Sequence, residues 1–168
     1  MLLAVDIGNT NIALGGFDGG ELSFVARIST DEYKTADEYS VLLLNTLSMY
    51  DIKRESVTGA IISSVVPALN TVFKDAIEFI YGVTALIVGP GVKTGINIQC
   101  DTPSSVGSDL ICACVAAHYI YGSPSLIIDM GTATKMMVVD ERGAFVGVSI
   151  IPGVGMGLRA LSEGTAQL

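Results

Sequence analysis

Hydrophobic and polar positions along the chain change period in a way that predicts an α/β fold. Three short strands, separated by the turn sequences G-N-T-N and D-G-G, are predicted at residues 2–7, 12–17 and 21–29. Behind them, apolar residues at helical spacing predict a helix over 36–50, which a capping box between Thr35 and Glu38 would open. The chain therefore begins as a strand meander followed by a helix.

The next segments continue the α/β pattern. Strands are predicted at 57–63 and 84–88, and between them a helix begins at Pro67 and runs to about residue 81. A further helix is predicted from Ser105 to about Ile120. Its apolar stripe, which would pack on a sheet, consists of Val106, Leu110, Cys114 and Ala117.

At Ser125 the opening pattern is repeated. Strands are predicted at 125–129, 135–139 and 144–150, and a short helix follows Pro152. The repeat predicts two domains, 1–124 and 125–168, of which the second is incomplete and has an open sheet edge. We expect a longer chain or a second subunit to cover its apolar run, which is Val146, Val148, Ile150 and Ile151.

Composition and charge narrow the class of partner. Half of the 168 residues are hydrophobic and 15% are charged, as in a compact globular domain. Seventeen acidic and nine basic residues give a net charge of −8, so nucleic acid and anionic membrane are poor partners. No apolar stretch approaches the roughly 20 residues that span a bilayer, and Asp6 interrupts the start before a signal core forms. A cytoplasmic protein is expected.

Two turns carry the candidate chemistry. In each, an apolar strand leads into the motif Asp-x-Gly, and a threonine follows the glycine closely. The two motifs are D-I-G-N-T at 6–10 and D-M-G-T at 129–132. Glycine lets the backbone approach a phosphate, and side-chain donors are added by Asn9, Thr10, Thr132 and Thr134. The Asp of each turn can hold a cation that neutralises phosphoryl oxygens. Two such hairpins facing each other would grip a polyphosphate; the alternative is a pair of tight turns with no ligand.

A third candidate is the sequence Gly107-Ser108-Asp109, at the start of the helix that is predicted to run to about Ile120. A carboxylate in the first turn of a helix is stabilised by the helix dipole. Asp109 could therefore orient a hydroxyl nucleophile and accept its proton, although Asp and Ser are also common capping residues. Both interpretations stay open on sequence alone.

The cysteines are expected to be reduced. Cys100, Cys112 and Cys114 are an odd set, and we interpret them as thiols packed like small apolar side chains. A metal site formed by Cys112, Cys114 and His118 is the alternative, but on a helix only residues 114 and 118 share a face.

Taken together, these motifs resemble the type III pantothenate kinases, members of the acetate and sugar kinase, heat-shock chaperone and actin superfamily. The matching segments are D-I-G-N-T-N at 6–11, G-P-G-V-K-T-G at 89–95, G-S-D at 107–109, V-A-A-H at 115–118, D-M-G-T-A-T at 129–134, P-G at 152–153 and T-A-Q-L at 165–168. The resemblance implies a duplicated ribonuclease-H-like (actin-like ATPase) fold, here with a truncated second copy. It also implies ATP-dependent phosphorylation of pantothenate to 4'-phosphopantothenate in coenzyme A biosynthesis, by a cytoplasmic homodimer that uses magnesium and potassium or ammonium.

The resemblance also assigns site residues. Asp109 is the implied proton acceptor, and Asp129 is the implied ligand of the monovalent cation. As the Asp of the first turn, Asp6 is a candidate ligand of a divalent cation. The implied ATP contacts are Asp6, Ile7, Gly8, Asn9, Thr10, Asn11, Ile12, Ala13 and Thr132. The implied pantothenate contacts are Cys100, Gly107, Ser108, Asp109 and Leu110.

Two of these positions depart from the family pattern. Leu110 stands where the family usually has Arg, and Cys100 where it usually has Tyr. Loss of a guanidinium removes a bidentate partner for a carboxylate. These departures keep an alternative function open, a catalytically impaired, pantothenate-kinase-like dimeric binding or regulatory protein.

Overall fold

The computed structural model describes residues 1–164, apart from the side chain of Ser104, and divides the chain into two compact units, Met1–Pro90 and Gly91–Leu168. The matching T-A-Q-L segment at 165–168 lies outside the described residues. In unit 1 the elements are β1 (Leu2–Ile7), β2 (Asn11–Asp18), β3 (Glu21–Ser29), α1 (Ala36–Ser48), β4 (Gly59–Ser64), α2 (Ala68–Tyr81) and β5 (Leu86–Ile87). A 3-10 turn, Arg54–Ser56, precedes β4. All the elements predicted for this part of the chain are confirmed.

Unit 1 is a five-stranded sheet covered by two helices. The strand order is β3-β2-β1-β4-β5, with β1 antiparallel to β2 and parallel to β4. Alternate residues of β1, Leu3, Val5 and Ile7, are buried, because side chains alternate between the faces of a strand. The helices pack against each other through Tyr39 and Phe73, whose ring centroids lie 4.5 Å apart. The result is one contiguous apolar core.

The helix starts of unit 1 follow the sequence signals. The Thr35 hydroxyl accepts the Glu38 N–H, while the Glu38 carboxylate accepts the Thr35 N–H at 2.8 Å, so the predicted capping box is present. Pro67 directly precedes α2, where its missing N–H costs nothing. Gly82 ends α2 in the left-handed conformation.

Unit 2 repeats the strand meander. Its elements are β6 (Asn97–Ile98), α3 (Ser108–Tyr121), β7 (Ser125–Met130), β8 (Ala133–Val139), β9 (Ala144–Pro152) and α4 (Val154–Gly164). The sheet order is β6-β9-β8-β7, and β7-β8-β9 are antiparallel like β1-β2-β3. The predicted repeat is therefore confirmed. The two-residue β6, which pairs in parallel with β9, was not predicted.

Helix α3 belongs to unit 2, where it packs against β7 and β8. It begins at Ser108, so the prediction of a start at Ser105 is wrong by three residues, because a 3-10 turn at Pro103–Ser105 comes first and Gly107 is extended. The core between α3 and the sheet is formed by buried residues of both, which are Leu110, Ile111, Cys114, Met137, Val139 and Phe145. The repeated sequence pattern places the boundary between the two halves at residues 124 and 125. In the structure the boundary between the two compact units lies near residue 90, because α3 packs on the second sheet.

The second sheet is less well covered than the first. In unit 1, β1 has a neighbour on each side, whereas the equivalent β7 is an edge strand in the part of unit 2 that the structure describes. The predicted apolar run is exposed, with side chains 36–58% accessible, at Val146, Val148, Ile150 and Ile151. No helix within residues 1–164 is long and apolar enough to cross a membrane.

Candidate active site

The first Asp-x-Gly turn joins β1 to β2. Ile7 pairs with Ile12, and the Gly8 N–H closes the turn by donating to the Asn11 carbonyl at 3.0 Å. A Cβ at position 8 would lie only 3.0 Å from that carbonyl oxygen, so the turn favours glycine. Because the Gly8 N–H is already bonded, phosphate donors at this turn must come from its neighbours.

Thr30, the residue after β3, holds the turn from outside. Its hydroxyl donates to the Gly8 carbonyl at 2.6 Å, and its N–H donates to the Thr10 carbonyl at 3.1 Å. Asn9, Thr10 and Asn11 are exposed around the turn. Their polar groups surround a backbone that is fixed by hydrogen bonds on both sides, which is the preorganisation that anion binding requires.

The other residues predicted at this turn fall into two groups. Asp6 is exposed and pairs in the sheet with Ala13 and Ser63. The side chains of Ile7 and Ile12 are fully buried in the core of unit 1. Any contact of these two isoleucines with a nucleotide would therefore involve their backbone.

The second turn is shorter. The Gly131 N–H donates to the Ala133 carbonyl at 3.1 Å, and Thr132 directly follows this glycine, whereas Thr10 comes two residues after Gly8. The Gly153 N–H donates to the Thr132 carbonyl at 3.1 Å, which ties the turn to the end of β9. The two turns are related in position but differ in backbone geometry.

Asp109, Asp129 and Lys135 form a cluster in unit 2. The Lys135 ammonium donates to the Asp109 carboxylate at 2.6 Å and to the Asp129 carboxylate at 3.1 Å. The side chains of Lys135 and Asp109 are 22% and 19% exposed, and that of Asp129 is 48% exposed. The structure thus brings together the predicted proton acceptor and the predicted cation ligand through one shared ammonium.

The sheet register explains this cluster. Asp129 and Lys135 are direct cross-strand partners, next to the pair Ile127 and Met137 on the same face. That face packs against α3, whose first turn carries Asp109 beside the buried Leu110. Packing of the apolar positions therefore places the three charged groups at one end of the helix–sheet interface.

Electrostatics keep Lys135 in its charged form. Partial burial disfavours the ammonium, but the hydrogen bonds and charges of Asp109 and Asp129 outweigh this effect and raise the pKa of Lys135 above its usual range. The cluster contains two carboxylates and one ammonium. One negative charge therefore remains when both carboxylates are ionised.

Lys135 was not predicted as a site residue. A signal for it exists in the sequence, because β8 places Lys135 on the same face as Met137 and Val139, which are both fully buried. A charged residue at such a position needs a charged partner. The period-2 pattern alone does not say that the partners are Asp109 and Asp129.

The predicted pantothenate residues are all in unit 2, but two of them are apolar core positions. Leu110 is 6% exposed and lies in the core cluster, and Cys100 is half-buried against the same cluster. Gly107 precedes α3 and Ser108 begins it, so these two residues flank Asp109 at the helix start. The apolar side chain of Leu110 is therefore suited to its buried position in the core of unit 2.

The alternative metal set has separate partners in the structure. The His118 Nδ1 lies 2.7 Å from the Ser123 hydroxyl, with which it shares a hydrogen bond. Cys114 is fully buried, and burial raises the pKa of its thiol to about 11. Cys114 is therefore a neutral core thiol near neutral pH, and metals prefer the thiolate.

Fold and site together define a class of protein. Each of the two α/β units contains a three-stranded meander with an Asp-x-Gly turn, and this repeat is that of a ribonuclease-H-like (actin-like ATPase) fold. A putative 2-dehydro-3-deoxygalactonokinase from Sinorhizobium meliloti has this fold, with a TM-score of 0.57, 19% identity and coverage of 99% of this chain and 60% of its own.

The particular family follows from the sequence. The family model described as type III pantothenate kinase matches residues 2–168, and the chain belongs to this family. Over all 168 residues it is 45% identical to a type III pantothenate kinase of Bifidobacterium animalis subsp. lactis and 46% identical to one of Brevibacillus brevis. It spans 67% and 66% of the length of these relatives. The resemblance and the fold class inferred from the sequence are confirmed.

Proposed function

We propose that this protein transfers the γ-phosphoryl group of ATP to the hydroxyl of pantothenate, giving 4'-phosphopantothenate, as a homodimer in the cytoplasm. Membership of the type III pantothenate kinase family supports the reaction. The observation that carries it is the position of Asp109, in the first turn of α3 and bonded to an ammonium. Both features hold a carboxylate in one orientation at a place where a hydroxyl can reach it.

Asp109 is the proposed proton acceptor. In the reaction the hydroxyl oxygen of pantothenate forms a bond to the γ-phosphorus, the bond from that phosphorus to the bridging oxygen breaks, and ADP leaves. The hydroxyl proton goes to the Asp109 carboxylate. Phosphoryl transfer depends mainly on positioning and on charge stabilisation, so a fixed acceptor contributes by orienting the hydroxyl.

The Asp-x-Gly turns are the proposed phosphate contacts. The exposed Asn9, Thr10 and Asn11 would donate to phosphate oxygens, as would Thr132. The other residues of 6–13 are proposed to contact ATP without donating from their side chains. Asp6, exposed at the end of β1, would hold the magnesium that accompanies ATP. Bound magnesium supplies positive charge to the phosphates, and the residues of the turn fix their position.

A positive charge beside Asp129 is also part of the proposal. The family resemblance assigns a monovalent cation to this carboxylate, and Lys135 places an ammonium 3.1 Å from it. Gly107, Ser108 and Cys100 are the proposed pantothenate contacts around Asp109, together with the backbone of Leu110.

The test is ADP release by the purified chain. We expect release in the presence of ATP, magnesium and pantothenate, and at most a slow background without pantothenate. Mass spectrometry should identify 4'-phosphopantothenate as the second product. ADP release that is the same with and without pantothenate would contradict the proposed acceptor.

A binding or regulatory function without turnover is the second candidate. It is favoured by the buried apolar Leu110, which offers no charge to the carboxylate of pantothenate. This candidate predicts that pantothenate or ATP stabilises the protein against thermal unfolding while no ADP is released. The same samples therefore separate the two functions.

A further inference from the structure

The Lys135 ammonium lies against both the proposed proton acceptor and the carboxylate that the family resemblance assigns to a monovalent cation. Its ammonium contacts Asp109 at 2.6 Å and Asp129 at 3.1 Å, and both acceptors belong to unit 2, as Lys135 does. The lysine lies on β8 directly opposite Asp129, so the sheet register fixes the distance between them. The pairing of Lys135 with Asp129 is therefore set by the backbone of the sheet.

A free potassium or ammonium ion does not fit beside Asp129 while Lys135 is in place. A second monovalent cation on the same carboxylate would lie within a few ångströms of the lysine ammonium. Two like charges this close repel each other, and they do so more strongly near a protein surface than in bulk water. The carboxylate that would attract the ion is already bonded to a group of the same charge and similar size.

On the basis of the proposed function, we propose that the Lys135 ammonium replaces the monovalent cation at Asp129 and at the same time positions Asp109. An alkylammonium is chemically a tethered ammonium ion, with three N–H donors, two of which are used by these carboxylates. The protein would therefore carry its own monovalent cation. Its phosphoryl transfer would be independent of added potassium.

The first experiment measures ion binding without activity. Thermal unfolding midpoints of the wild type and of Lys135→Met are compared in potassium chloride and in sodium chloride at equal ionic strength. We expect the wild type to show no difference between the two salts. We expect Lys135→Met to be less stable overall and to gain about 3 °C or more in potassium over sodium, because the vacated carboxylates now bind the ion from solution.

Matched variants separate this effect from the loss of an ordinary ion pair. Lys135→Arg keeps the charge and should behave as the wild type does in both salts. Lys53→Met removes an exposed lysine of unit 1 and should leave the salt comparison unchanged. A merely structural role for Lys135 predicts that Lys135→Met loses the same stability in both salts, which would overturn the proposal. So would a potassium-specific gain of the wild type that equals that of Lys135→Met.

The second experiment uses turnover. ADP release by the wild type should not change when potassium replaces sodium, whereas Lys135→Met should be at least tenfold slower in sodium and recover in part in potassium. If Lys135→Met does not fold, Lys135→Gln is used, because its neutral amide removes the charge and still has N–H groups that can donate. If the wild type releases no ADP, the proposed function fails, while the unfolding comparison still decides whether Lys135 replaces the ion. Potassium-dependent turnover of the wild type would contradict the inference.

Discussion

At the scale of single residues, Asp109 is the group on which the proposed reaction depends most directly. It is the second residue of α3, 19% exposed and bonded to Lys135. Asparagine has the same shape and is accepted at helix starts, so Asp109→Asn should fold normally. Because the amide cannot take a proton, we expect ADP release with pantothenate to fall by about 10²–10⁴-fold.

The control for this prediction is Asp75→Asn, which removes an exposed carboxylate from α2 in unit 1. Its turnover should equal that of the wild type. Circular dichroism and unfolding midpoints establish that both variants are folded. Turnover of Asp109→Asn within about tenfold of the wild type would refute the role of Asp109 as proton acceptor.

The buried thiol of Cys114 should make the stability of the protein depend on pH in the alkaline range. Burial raises the pKa of this thiol from 9.0 to about 11, so the folded protein binds the thiol proton more tightly than the unfolded chain does. The contribution to stability is complete below pH 9 and is lost as pH rises from about 9 to about 11. We expect the free energy of unfolding, measured with urea, to decrease over this range.

Other groups also titrate at alkaline pH, so the comparison uses Cys114→Ala. This variant should be less stable at pH 8, because it leaves a small cavity, and should lose less stability between pH 9 and 11 than the wild type. At pH 8 the native protein should also resist alkylation at Cys114, as shown by mass spectrometry. Equal pH slopes for the two proteins would contradict the assignment.

At the scale of elements, the second Asp-x-Gly turn depends on close approach by the end of β9. A Cβ at Gly153 would overlap the Gly131 carbonyl and lie 2.5 Å from the Thr132 carbonyl oxygen. These are backbone atoms of the turn, which cannot rotate away. We expect Gly153→Ala to lower the free energy of unfolding by about 1–3 kcal/mol and to displace the turn that carries Thr132.

Gly147→Ala, also in β9, is the matched control. A Cβ at Gly147 would meet no atom within 4 Å, so this variant should be at least as stable as the wild type. Hydrogen exchange of the amides at residues 131–133 reports on the turn directly. Normal stability and unchanged exchange in Gly153→Ala would show that β9 does not hold the turn.

At the scale of the whole molecule, exposed apolar surface in unit 2 predicts self-association. The end of α3 exposes Tyr119, Ile120 and Tyr121, each at least 68% accessible. Exposed apolar side chains of this kind are typical of interfaces, and a twofold dimer buries the same surface on both subunits. We expect sedimentation velocity at micromolar concentration to show a dimer.

Ile120→Glu tests the face that forms this dimer. The charge should shift the sample toward monomer without changing the helix, since Ile120 is 69% exposed. Phe79→Glu is the control, because Phe79 is 71% exposed on a helix of unit 1. A monomeric wild type, or dissociation only in Phe79→Glu, would exclude association through α3.

Local patterns of the sequence determined most of the elements. The alternation of β1, the capping box at Thr35 and the proline before α2 each act within a few residues, so their effect is visible without the fold. The repeated meander was predicted for the same reason. The two-residue β6 could not be predicted, because its only reason to be extended is its pairing with the distant β9.

The sequence by itself also determined the candidate carboxylates and the family, since both depend on residue types at short spacing. Only the tertiary structure decided what surrounds those carboxylates. It joined Asp109 to Asp129 through Lys135, placed the α3 helix on the second sheet and buried Leu110. The physical reason is that strand register and helix packing bring together residues that are far apart in sequence. Local sequence patterns do not specify which carboxylates a partly buried ammonium will contact.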